Sequence, residues 1–294
     1  MPQRFTIPTA FVVLTAALLT ACSGSSPTTP TPPPTGGGTP PQNAVPSIDT
    51  ITAQGRRTRQ PARFADLRET VDVAATVRDA ETSLDELVYQ WSATAGTFTG
   101  SGRNVAWTAP ESATTPGSVT ITLKVIENYG HPGQPKNFSH EVTGTQTIAL
   151  HDSAREVGDM SRQFLIDFST TSLKDWQVVM RNFNRAVCPR PSEYDDERVS
   201  VIDHYTNFTM HAFDVGPATV AINFGGSCSV PGDQLPGDAC VTSRVMWDST
   251  GPRGRSSTRG IDYLSAVYAA ADRRWWLCSS RYGADSTLGV RYYQ

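Results

Sequence analysis

Two periodicities divide the chain. Between 71 and 150, apolar residues recur at every second position, as in Val71, Val73, Ala75 and Val77. A period of two places alternate side chains on opposite faces of a strand. It predicts strands over 71–77, 87–93, 105–107, 119–125 and 138–150. Turn-rich clusters at 94–103, 112–117 and 128–133 separate them. Short strands at this spacing predict an antiparallel sandwich.

From 153 the spacing lengthens. Ser153 and Glu156 form an S-x-x-E capping signal, and Val157, Met160, Phe164, Leu165 and Phe168 follow on one helical face. Ser172 and Asp175 repeat the signal. Leu173, Trp176, Val179, Met180, Phe183 and Val187 then make a second stripe, stopped at Pro189 and Pro191. Residues 191–204 predict only a short third helix, and the acidic run 193–197 reads as a solvated loop. Strands are expected over 206–213, 218–224, 240–247 and 257–269, then from Trp275 to Cys278. Helices leading into consecutive strands predict an α+β region.

The N-terminal residues follow neither period. Arg4 precedes an apolar stretch at 11–19, too short to span a bilayer and suited to a secretory signal. Leu19-Thr20-Ala21-Cys22 resembles the bacterial lipobox. The resemblance implies cleavage before Cys22, lipidation of its thiol and amine, and anchoring in the cell envelope. Ser23, in place of an aspartate, resembles an outer-membrane sorting signal in a Gram-negative cell. Residues 23–45 hold seven prolines and no charge. They predict an extended tether reaching up to roughly 60–70 Å. The expected organisation is signal peptide 1–21, lipidated Cys22 with tether 22–45, sandwich 46–150 and α+β region 151–294.

Two further resemblances concern the folded parts. The segment VYQWSATAGTFTGSGRNVAWTAP, with GSVTITLKVIENYG after it, is similar to bacterial polycystic-kidney-disease (PKD) and related Ig-like modules. That implies a spacer or adhesive role, with Trp91 between the sheets. In some relatives acidic residues of one turn bind calcium, and Asp79, Glu81 and Asp85 are the corresponding candidates. The closing segment GIDYLSAVYAAADRRWWLCSSRY, with the element order before it, resembles the cone-like NTF2/SnoaL superfamily. That implies a pocket between helices and a curved sheet, in which an Asp and a His carry out chemistry in some members. Candidates here are Asp203, His204, His211 and Asp262. In an extended segment, adjacent Asp203 and His204 point to opposite faces.

The formal net charge of −3 argues against a general nucleic-acid binder. The basic cluster Arg56, Arg57, Arg59 and Arg63 reads as a solvated loop. No HExxH, GxSxG, phosphate-loop or dinucleotide fingerprint is present, and no cofactor is called for. Five cysteines resolve into Cys22 plus four. In an oxidising envelope the four are expected to pair as Cys188–Cys278 and Cys228–Cys240. The second pair would close a Gly/Pro-rich loop, 229–239, free at its tip and suited to binding.

The expected function is that of an envelope-anchored lipoprotein acting as a binding or structural module, its C-terminal region taking a small ligand, glycan or protein. The alternative is a pocket enzyme of isomerase, dehydratase or hydrolase type.

Overall fold

The computed structural model describes residues 42–284 and 291–292, with 284, 291 and 292 described by backbone alone. The expected signal peptide, Cys22 and nearly all of the tether lie outside the described residues.

The first region forms two four-stranded sheets. One orders β1 (Ser47–Gly55), β3 (Thr70–Arg78), β6 (Asn104–Thr108) and β5 (Thr97–Thr99). The other orders β2 (Phe64–Asp66), β8 (Phe138–His151), β7 (Gly117–Tyr129) and β4 (Val88–Ala93). All pairings are antiparallel except β2–β8. Their facing residues share a core: Val71, Val73 and Trp107 from one sheet meet Val119, Ile121 and Ile148 from the other. The period-two pattern exists because each sheet has one dry face and one wet face. The fully buried tryptophan is Trp107. Trp91 is half-buried, and its indole N–H donates to the Gly102 carbonyl.

The second region begins without a linker. β8 ends at His151, and α1 (Ser153–Ser169) starts two residues later. Its N-cap is Asp152, one residue before the expected Ser153, and the Asp152 side chain accepts from Arg155 N–H. Ser153 is buried instead, donating to Asp66 from both its N–H and its hydroxyl.

The expected second helix is a single turn, α2 (Trp176–Val179), capped by Asp175. Beyond it the chain unwinds to meet the sheet. Phe183 forms an isolated parallel bridge with Leu277, and Leu277 N–H donates to the Asn182 carbonyl at 2.9 Å. Val179, Met180 and Phe183 are buried, as their stripe implied, but largely from irregular backbone. The third helix, α3 (Pro191–Asn207), is full length. It opens on Pro191, whose missing N–H costs nothing at that position.

The strands that follow curl into a half-barrel, β10 (Thr219–Val230), β11 (Asp233–Gly251), β12 (Gly254–Ala269) and β13 (Arg274–Ala284). β9 (Thr209–Val215) pairs with β11, and β14 (Arg291–Tyr292) with β12. Both long hairpins turn in two residues. Val230 pairs with Asp233 around Pro231-Gly232, and Gly251 with Gly254 around Pro252-Arg253. Gly232 takes φ +79°, the left-handed geometry a proline-initiated turn asks of its next residue. The expected free loop at 229–239 is therefore a paired ladder with Leu235 fully buried. Cys188 is joined to Cys278 and Cys228 to Cys240.

The two regions pack against each other. Phe64 of β2 is stacked on His151 at 4.9 Å and meets Phe224, Tyr268 and Trp275 edge-on. Burying such a ring is worth about 2–3 kcal/mol. Arg57 pairs with Asp66 and Glu69, and Arg59 donates to the Gly225 carbonyl at 2.6 Å. The basic cluster expected as a solvated loop thus contributes two of its four arginines to structural contacts here, while Arg56 pairs with Asp72 on the surface.

Candidate functional site

The concave face of the half-barrel is only partly filled. α1 and α3 lie over it and leave a cavity of about 300 Å³. α1 contributes Phe164, Leu165 and Phe168. α3 and its C-cap contribute Glu197, Ser200, His204 and Phe208. The sheet contributes Trp247 and Tyr282 with a set of hydroxyls: Ser249, Ser256, Thr258 and Ser280. These sheet positions alternate with outward-facing ones, as a strand pleat requires.

Two carboxyls and an imidazole line this space. Asp262 of β12 is 2% exposed. Burial pushes its carboxyl up to about 7, against the Ser280 hydroxyl, which donates to it at 3.0 Å and favours the charge. Glu197 of α3 is 6% exposed. Burial first, and then the nearby charge of Asp262, push it up to about 8. Arg281 and the Ser280 backbone N–H act in the opposite direction. Ser280 therefore touches both acids, one through its hydroxyl and one through its backbone. Burial takes His204 down to about 4, with Asp203 opposing the shift weakly. Its Nε2 is buried with no partner among the described residues.

At neutral pH the arrangement holds a neutral imidazole, one carboxyl near half-protonation at Asp262 and one largely protonated at Glu197. A buried acid near neutrality both donates and accepts hydrogen bonds, and such groups concentrate at functional sites. Glu193 supports the site from one turn away on α3, where it is buried and ion-paired with Arg281.

Of the four residues singled out from sequence, two meet in the cavity and two do not. His204 and Asp262 line it. Asp203 lies on the outer side of α3 and accepts from the Asn207 amide. His211 is exposed on β9 and bonds the Thr250 hydroxyl at 2.8 Å. The segment holding Asp203 and His204 is not extended: both lie on α3, where neighbours diverge by about 100° around the helix. Glu197 was not singled out. It belonged to the acidic run assigned to a solvated loop, yet Glu193, Glu197 and Val201 form the buried face of α3 at four-residue spacing.

The calcium candidates are placed apart in role. Asp79 Oδ1 accepts from the N–H groups of Glu81 and Thr82, closing its own turn. Glu81 accepts from Ala44 N–H, and Asp85 faces Arg103 at 3.9 Å. Among the described residues no three or more His, Cys, Asp or Glu side chains converge as a metal site. No helix among them is long and apolar enough to cross a membrane.

No family model matches the chain, and neither a curated protein nor a solved structure shows significant similarity to it.

Proposed function

We propose that the chain is a lipoprotein anchored in the cell envelope through Cys22, in the outer membrane, and that its C-terminal region binds a small molecule. An Ig-like, PKD-type sandwich would carry an NTF2-like cone away from the membrane. The observation that carries the binding reading is the cavity itself, about 300 Å³ of space with an apolar wall and convergent polar groups. That combination is the usual signature of a small-molecule site. Facing four-stranded sheets support the sandwich, and helices over a curled sheet support the cone.

The test is a thermal-shift screen of small molecules against the full chain and against Ser256→Trp, which fills the cavity from the sheet side. Compounds that stabilise the wild-type chain and fail with the variant support the reading. Hits indifferent to the substitution, or no hits at all, overturn it.

One observation favours a second reading, a pocket enzyme of isomerase, dehydratase or hydrolase type. Glu197 and Asp262 sit near neutrality beside a neutral His204. Such a set can give a proton at one atom and take one at another. Under this reading Asp262→Asn lowers kcat by 100-fold or more, on the usual scale for an acid–base group, while the fold survives.

A further inference from the structure

The composition of the cavity lining specifies charge. Five of its rings form a continuous series. Phe208 lies 5.3 Å from His204, His204 is stacked on Phe168 at 4.0 Å, Phe168 is 6.1 Å from Trp247, and Trp247 is 5.3 Å from Tyr282. Glu197 and Asp262 are the acidic members of the lining, beside the serine and threonine hydroxyls. Among the described lining residues there is no Lys or Arg. Arg281, the cation that acts on Glu197, is committed to Glu193.

We propose that this cavity takes a small organic cation, an amine or quaternary ammonium with an apolar body, its charged end at Glu197 and Asp262 and its carbon against the rings. The proposal rests on the small-molecule reading above and adds the ligand's chemical class. Aromatic faces carry negative potential and attract a desolvated cation. Glu197 has only an arginine already engaged by Glu193, and Asp262 has the Ser280 hydroxyl. Two buried carboxyls so placed are short of positive charge, and a cationic ligand supplies it. An anion would lie against both acids. A neutral apolar ligand would leave two carboxyls desolvated with nothing gained.

The charges around the pair are few. Glu197 is faced by Asp262 from β12, by Arg281 from β13 and by Glu193 on its own helix. Asp262 is held by the Ser280 hydroxyl of β13. His204 is neutral at working pH and adds no competing charge. Binding a cation therefore drives both carboxyls to their charged forms and releases protons below about pH 8.

The experiment compares three phenyl-bearing probes on the full chain by titration calorimetry: phenethylamine, phenethyl alcohol of the same size, and the slightly larger 3-phenylpropionate. The expected order at pH 8 is amine over alcohol by about tenfold or more, with the carboxylate weakest. The amine's advantage grows from pH 6 to pH 8, and its binding heat depends on the buffer because protons are released. In the double variant Glu197→Gln, Asp262→Asn the advantage disappears while alcohol binding and the circular-dichroism spectrum are retained. Equal or tighter binding of the alcohol or the carboxylate overturns the cation proposal. So does failure of all three probes at tens of millimolar. Neither result touches the small-molecule reading, which fails only if screening hits ignore Ser256→Trp or if there are none.

Discussion

The Arg57 guanidinium lies 5.0 Å from the centre of the Phe224 ring, joining the first sandwich region to the half-barrel. The same group pairs with Asp66 and Glu69, both at 2.8 Å, and these carboxylates are mostly buried. Arg57→Ala removes the cation and leaves two acids without it. The expected cost is about 2–4 kcal/mol, read as a lower urea midpoint. Arg57→Lys recovers only part of it, because an ammonium cannot serve two carboxylates and a ring face in the same planar way.

Two of the pocket groups make stability depend on pH in one sense and the third in the other. Glu197 and Asp262 titrate higher in the folded chain, at about 8 and about 7, than their ordinary values near 4. The native state therefore holds protons that the unfolded chain has released, and stability falls as pH rises from about 4 to 8. Asp262→Asn, or Glu197→Gln, removes part of that fall, so each variant gains on the wild type at pH 8 relative to pH 5. Urea midpoints at pH 5, 6.5 and 8 check it. A wild-type curve flat across that range would contradict the assignment.

His204 works in reverse. Its folded value of about 4 lies below the ordinary 6.5. Its contribution is complete above pH 6.5 and is lost as the pH falls toward 4. His204→Phe keeps a flat ring between Phe168 and Phe208 and removes the buried, unpartnered nitrogen. The variant should exceed the wild type at pH 5 by about 1–2 kcal/mol, with a smaller difference at pH 8.

The two disulfides should differ in worth. Cys188–Cys278 spans 90 positions and Cys228–Cys240 spans 12. Loop-closure entropy assigns roughly 4.5 kcal/mol to the first and roughly 3 to the second. The short bridge also duplicates a constraint the β10–β11 ladder already imposes, so its removal should cost less still. Serine pairs at each bridge, compared by thermal unfolding, give the order directly.

The anchor is tested by fractionation. With Cys22 intact the chain should sediment with membranes, and Cys22→Ser should move it to the soluble fraction or block its processing. Equal partition of the two forms would remove the lipid anchor from the proposed function.

The strands were far more legible than the helices. Positions 71–77 and 119–125 alternate because one face of each strand is dry, so period and burial agree at every residue. α3 inverts that rule. Glu193 and Glu197 are buried, while Val199 is 63% and Ile202 38% exposed. An apolar stripe cannot be read where the buried face is carboxylic, and the same inversion hid Glu197 from the candidate site. The opposite failure occurs at 172–187, where a clean helical stripe is overruled by the Phe183–Leu277 bridge and the disulfide that follows. A partner distant in sequence decides that segment, and no local pattern announces it. His204 and Asp262 were among the candidates because the resemblance of the closing segment implies a pocket holding an Asp and a His. Neither residue's local pattern sets it apart from Asp203 or His211. What brings His204 and Asp262 together is the β11–β12 register and the length of α3, which depend on the whole half-barrel.

The passage of β8 into α1 with one intervening residue, Asp152, also bears on heredity. A segment bounded by a slack connector can be copied into another gene and still work. Here the strand that completes one sheet becomes the helix that walls the cavity, and Phe64 is embedded among the aromatic rings of the other half. A cut at this point would strip both halves of contacts they need. The stretch from β1 to β13 should therefore travel through genomes whole, gaining and losing neighbours at its ends and not at its middle.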